Sequence, residues 1–187
     1  MYGIELLVEE HRNILEFCAS MRSMCCGLLG GSKVDTALIR ECAAFGKNYA
    51  DKHHHGKEEQ ILFKKMTDKL GPVADKLIRN GMLVEHDLGR LHMSELLAAA
   101  DRYDQAPSLS NALDIITNAA GYATLLGRHI GKEDEVVYTF AQRALSQEDK
   151  DWVDEETKVF EADEDKNQAR EHFLGWLEDF TKKFPAQ

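Results

Sequence analysis

Two short segments of this chain place a histidine four residues before a glutamate, a combination that can bind a metal ion. His54 precedes Glu58, and His129 precedes Glu133. On a helix, residues four apart lie on the same face one turn from each other, so the imidazole and the carboxylate can meet. Together they suit iron, manganese or zinc. A single His-x-x-x-Glu is also an ordinary exposed pair, so either segment alone is weak evidence.

The two segments belong to an internal repeat whose second copy lies 75 residues after the first. The same shift places Glu10-His11 on Glu85-His86, and it places the whole segment 54–63 on the segment 129–138. One ungapped shift that aligns two separate histidine-containing segments indicates two helix pairs of the same design, related by a pseudo-two-fold axis.

The repeat defines six side chains that could hold metal, three from each half: His11, His54, Glu58, His86, His129 and Glu133. Burying four imidazoles and two carboxylates inside a bundle costs free energy unless something pairs with them. A pair of metal ions is the simplest partner, with two histidines on each ion and the glutamates as bridges. The alternative is that these histidines are solvated or individually hydrogen-bonded.

The second helix leaves a question of register because three histidines follow one another. A neighbouring residue on an α-helix is rotated by about 100°, so we expect His53 to be solvated and His55 to point away from the metal. His55 could pair with Glu59 in the same spacing, which would shift the site by one residue. The repeat favours His54, because His55 aligns with Ile130, which cannot bind metal.

Other polar residues are candidates for supporting roles. Tyr122 lies two turns before His129 on the same face, where it either packs in the core or extends its hydroxyl towards a metal or a bound oxygen species. Several acids could accept hydrogen bonds from the ligand imidazoles or be solvated: Glu10, Glu59, Glu85 and Asp134. His92 and His172 receive no ligand role.

Helical periodicity dominates the chain, and no segment reads as a convincing strand. Breaks at Gly30-Gly31, Gly71-Pro72 and 106–108 separate four helices of about 30 residues each, whose short turns make neighbours antiparallel. We therefore predict an all-α fold, an up-down-up-down four-helix bundle over residues 1–145. Ser146 with Asp149 resembles a capping box that opens an acidic helical appendage over 146–187, which packs on or near the bundle and runs to about Phe184.

Composition narrows the class of protein. The 187 residues are 43% hydrophobic, enough for a core, and carry a formal charge of −10. Nucleic acids and anionic membranes require a basic surface, so neither is expected as a partner. The four cysteines lie in the first quarter of the chain, two of them adjacent, which favours reduced thiols over a disulfide framework. With no apparent secretory signal or membrane span, the sequence predicts a cytoplasmic protein.

The chain resembles the hemerythrin-like, HHE cation-binding family over about residues 5–143, through the six residues above. The resemblance implies a four-helix bundle around a non-haem di-iron centre. His11 and His54 would bind one iron and His86 and His129 the other. Glu58 and Glu133 would bridge the two ions, together with an oxo or hydroxo group. Zinc or manganese would be substitutes.

Two departures from the oxygen-carrying hemerythrins place the chain nearer the four-histidine branch of the family. Arg90 stands where those proteins have a fifth histidine, and Glu133 stands one residue before their aspartate. We expect a protein that binds or senses O2, peroxide, NO or iron, with any enzymatic activity being peroxide or O2 redox chemistry. One alternative is an interaction module in which metal controls folding and partner binding. Another is a structural zinc site.

Overall fold

A computed structural model describes residues 1–186, which form six helices and no strand within that range. All four helices of the predicted bundle are present, so the all-α bundle is confirmed. We number the helices in chain order: α1 Tyr2–Leu29, α2 36–69, α3 71–105, α4 109–144, α5 Gln147–Glu161 and α6 Glu164–Lys183.

The helix ends follow local chemistry that the sequence had indicated. Asp35 accepts a hydrogen bond from the Leu38 N–H at 3.1 Å and caps the start of α2. Ser146 accepts from the Asp149 N–H and donates to the Asp149 carboxylate at 2.6 Å, which confirms the predicted cap of α5. Gly71, with φ of +70°, separates α2 from α3 in a left-handed conformation that other residues rarely adopt.

Segments of α2, α3 and α4 are π-helical, with hydrogen bonds between residues five apart instead of four. The four segments are Gly46–His55, Glu58–Leu62, Ile78–Met82 and Glu133–Val137. Such segments are rare and are frequently found at functional sites. Three of the four contain predicted metal ligands, so the helix geometry is unusual where the sequence places chemistry.

The core consists of two apolar clusters with a polar layer between them. One cluster includes Ile14, Phe17, Phe45 and Leu96, and the other includes Leu7, Leu62, Phe63 and Val137. Along α1, α2 and α3, the predicted ligands fall between the residues of one cluster and those of the other, and on α4 Glu133 does the same. The two clusters therefore hold the helices together on both sides of a buried polar centre.

Two repeat-related glycines allow α2 and α4 to approach α3 closely. A Cβ atom on Gly46 would lie 2.8 Å from the Met93 side chain, and one on Gly121 would lie 2.6 Å from the His92 ring. The shift of 75 residues aligns these glycines. In both halves of the repeat, a glycine thus makes room for a side chain of α3.

The C-terminal segment forms two helices instead of the single helix that we expected. Its first helix ends at Glu161, and Asp163 caps the next by accepting from the Lys166 N–H at 3.1 Å. Helix α5 packs on α1, where the Gly3 N–H donates to Asp154 at 2.9 Å, and α6 buries Phe180 against Phe17. Among the described residues, no helix is long and apolar enough to cross a membrane.

Candidate metal centre

The structure brings all six predicted ligands into the polar layer. Each is at most 1% exposed: His11, His54, Glu58, His86, His129 and Glu133. Four come from α2 and α4, where the His-x-x-x-Glu spacing presents both side chains to the interior, and the other two come from α1 and α3. Residues separated by 122 positions in the chain thus meet in one buried cluster.

Potential ligand atoms converge in two groups. In the first, one atom from each of His11, His54, Glu58 and Glu133 lies within 4.8 Å of every other. In the second, one ring nitrogen from each of His55, His86 and His129 does the same. Each half of the cluster therefore has the donor atoms and the spacing to hold an ion.

The glutamates connect the two groups. Glu133 places Oε2 at 3.2 Å from His11 Nε2 and Oε1 at 3.1 Å from His129 Nε2. Glu58 Oε2 lies 3.7 Å from His54 Nε2 and 3.5 Å from His86 Nε2. Each carboxylate thus faces one histidine from each half of the repeat, as a bridging ligand does.

Except for His11 Nε2, which lies 3.3 Å from the Tyr138 hydroxyl, the atoms that converge have no hydrogen-bond partner. These buried, unpaired atoms are the Nε2 atoms of His54, His55, His86 and His129, Glu58 Oε2 and both carboxylate oxygens of Glu133. An unsatisfied buried polar atom costs about 1–3 kcal/mol, and so many in one layer need a common partner. Imidazole and carboxylate donors fit transition metal ions, so the residues present match the expected cofactor.

The outer ring nitrogens are held by the four acids that were candidates for supporting roles. Glu10 accepts a hydrogen bond from His54 Nδ1 at 3.0 Å. In the second half of the repeat, the equivalent Glu85 accepts one from His129 Nδ1, also at 3.0 Å. In the same way, Asp134 accepts from His11 Nδ1 at 2.8 Å and Glu59 from His86 Nδ1 at 2.7 Å. A proton on Nδ1 leaves Nε2 as a free lone pair, so these contacts orient the rings to bind metal.

In each half of the repeat, a lysine forms an ion pair with the glutamate that holds the histidine, but the two lysines differ in exposure. Lys57 pairs with Glu10, and the repeat-related Lys132 pairs with Glu85. The Lys57 side chain is 1% exposed and also donates to Glu161 of α5 at 2.6 Å, whereas that of Lys132 is 50% exposed. The appendage therefore covers the lysine of one half, whereas the lysine of the other half remains exposed.

The environment of the centre lowers the pKa of one ligand histidine and raises that of another. Burial lowers the pKa of His54 to about 4. Burial also lowers the pKa of His86, but the nearby carboxylate of Glu133 and the hydrogen bond to Glu59 outweigh burial and raise that pKa to about 10. Burial, reinforced by the charge of Glu133, raises the pKa of Glu58 well above its usual value. Burial thus favours the protonated form of Glu58, and an arriving cation would compete with that proton.

The structure corrects two expectations about the neighbouring histidines. His53 is not solvated: it is buried, and its Nε2 lies 3.0 Å from Glu10. His55 does not point away: it is 3% exposed and stacks on His86 with ring centroids 3.7 Å apart. Both errors assumed that a rotation of about 100° away from His54 leads to solvent. Instead, His53 faces Phe160 of α5 and His55 faces His86 of α3, so both rings are covered by other helices.

Two tyrosines differ in their relation to the centre. Tyr122 is buried and lines a cavity beside His55 and His86. Tyr138, which sequence reasoning did not select, donates its hydroxyl to Glu58 Oε1 at 2.6 Å and stacks on His11. The sequence does contain one signal for Tyr138. The repeat aligns it with Phe63, so the second half has a hydroxyl where the first half has an apolar ring.

Replacing Tyr138 with phenylalanine is expected to weaken metal binding by about 10–100-fold, the range for residues that orient ligands. The change removes the donor to Glu58 and leaves that oxygen buried without a partner. Affinity is measured by competition with a chromophoric chelator, and Tyr103→Phe in the half-buried end of α3 is the control. Equal affinities in both variants would show that the Tyr138 hydroxyl does not support the ligand.

Comparison with known families identifies the domain. The family model described as the hemerythrin HHE cation-binding domain matches residues 2–141. A search of curated proteins found no match. The matched region contains all six predicted ligands, the first three bundle helices and all but the last three residues of α4, but not α5 or α6.

Proposed function

Because this chain belongs to the hemerythrin HHE cation-binding family, we propose that its metal centre holds two iron ions and binds or senses O2, peroxide, NO or iron. The observation that carries this proposal is the convergence of unpaired imidazole nitrogens and carboxylate oxygens in the buried layer. His11 and His54 would hold one ion, His86 and His129 the other, and the two glutamates would bridge them.

If the six ligands held a reduced iron pair, that pair would supply two electrons to a small oxidant, and the surrounding residues would set the conditions for that chemistry. The four acids on the outer ring nitrogens fix the direction of each imidazole. The apolar clusters on both sides exclude water, which strengthens electrostatic interactions inside the layer. Four free thiols support a reducing compartment such as the cytoplasm as the place of action.

The proposal is tested on protein purified from cells supplied with iron. Elemental analysis should give two iron atoms per chain, with near-ultraviolet charge-transfer absorption. The reduced protein is then exposed separately to O2, peroxide and NO, and a change in that absorption identifies the ligand. A colourless protein containing zinc would instead support the structural zinc site.

One observation favours a second candidate, a module in which metal controls the C-terminal helices. Glu161 of α5 contacts Lys57, Lys57 pairs with Glu10, and Glu10 holds the predicted ligand His54. A change at the metal can therefore alter the contact between α5 and the bundle.

Limited proteolysis distinguishes this candidate. For a metal-controlled module, α5 and α6 should be cleaved readily in the metal-free protein and protected when metal is bound. Lys57→Met, which removes the contact to Glu161, should abolish that difference. A metal-free protein whose C-terminal helices are equally protected would contradict the second candidate.

A further inference from the structure

We propose that His55 is a fifth histidine ligand, binding the same ion as His86 and His129. The inference deepens the proposed function and rests on it, because it concerns how the two ions are shared among the side chains of this chain. It changes the predicted centre from two histidines on each ion to two on one and three on the other.

The first argument is the position of the ring. His55 Nε2 is buried, has no hydrogen-bond partner and belongs to the group of three ring nitrogens that lie within 4.8 Å of one another. The ring lies parallel to His86, at an interplanar angle of 4°, and meets His129 edge-on with centroids 5.8 Å apart. The free nitrogen is therefore directed at the same space as the Nε2 atoms of two predicted ligands.

The second argument is that no other contact accounts for burying this imidazole. Its Nδ1 lies 3.4 Å from Asp51 Oδ1, a long contact, and Arg90 donates to the same oxygen at 2.9 Å. Arg90 satisfies this acid without His55. A core histidine without a ligand role would be expected to pair both ring nitrogens, since unpaired polar atoms are costly to bury.

The third argument is that His55 breaks the symmetry of the repeat in a chemically meaningful way. Its counterpart is Ile130, so the ion beside His11 and His54 has no equivalent third imidazole. With both glutamates shared, the first ion would have four protein ligands and the second would have five. An external ligand should therefore bind more readily to the ion held by His11 and His54.

A neighbouring cavity provides a direct test of this assignment. A space of about 210 Å³ lies against His55 and His86 and is also lined by Met93 and Tyr122. Cavities of about 150 Å³ can hold benzene, so free imidazole fits beside the ring. Removing the His55 side chain should join this cavity to the metal centre and allow free imidazole to replace the lost ligand.

The experiment compares Zn²⁺ binding by the full chain, His55→Ala and the control Met93→Ala, which enlarges the same cavity without removing a nitrogen. The wild-type chain and Met93→Ala should bind two ions. His55→Ala should retain one ion at wild-type affinity and bind the other at least about tenfold more weakly, and added imidazole should restore it. Two ions bound at wild-type affinity by His55→Ala would overturn the proposal.

A measurement on the wild-type chain covers the case in which His55→Ala fails to fold. The protein is labelled with ¹⁵N in its eight histidine rings and titrated with Zn²⁺. Five Nε2 resonances should move to values typical of metal-bound imidazole. Four would overturn the role of His55 and leave the proposed metal centre intact, whereas no movement would contradict the proposed function itself.

Discussion

Replacing Glu133 with alanine is expected to reduce the metal content from two ions per chain to fewer than one. Its two carboxylate oxygens face His11 and His129, which belong to opposite halves of the repeat. Without this carboxylate, each ion loses a ligand and the two cations face each other with half of the compensating charge. Both ions should therefore be lost together instead of one at a time.

Elemental analysis of the purified variant measures this effect. Glu135→Ala is the matched control, because Glu135 lies two residues away on the same helix with its side chain exposed. Glu58→Ala should behave like Glu133→Ala, since Glu58 also faces histidines of both halves. A stable protein with one ion in either glutamate variant would show that this residue does not bridge.

Removing the metal from the wild-type chain is expected to lower the free energy of unfolding by several kcal/mol. A ligand that binds only the folded state stabilises it by about 4 kcal/mol when its concentration is 1,000 times the dissociation constant, and two ions act here. The metal-free centre also retains the cost of its unpaired buried atoms. Urea unfolding of metal-loaded and chelator-treated protein measures the difference.

Glu133→Ala provides the internal control for this measurement. Because that variant should not hold the ion pair, its unfolding midpoint should not respond to added metal. If the wild-type chain unfolded at the same urea concentration with and without metal, the centre would contribute nothing to stability, and the candidate role of metal in controlling α5 and α6 would lose its basis.

The bundle could be predicted because its information is local. Helix ends depend on neighbouring residues, as at Asp35 and Ser146, and helix faces depend on the spacing of apolar residues. The meeting of the six predicted ligands could also be predicted, since the repeat doubled each weak local signal. An ungapped shift preserves the geometry of a helix pair, so equivalent residues occupy equivalent places in both halves.

The environment of His53 and His55 could not be predicted from the same information. The burial of His55 depends on His86 of α3, which local periodicity in α2 does not reveal. The burial of His53 further depends on Phe160 of α5, more than 100 residues later in the chain. The break at Ala162 was equally invisible, because the acidic segment around it continues without a glycine or proline.

Lys57 is buried and Lys132 is exposed, so we expect the two halves of the repeat to respond differently to ionic strength. Dissolved salt screens charges at the surface over about 8 Å at physiological concentration but acts weakly on buried pairs. The pair of Lys132 and Glu85 is accessible to counterions, whereas the pair of Lys57 and Glu10 is enclosed beneath α5. We therefore expect a higher salt concentration to weaken the support of His129 more than that of His54.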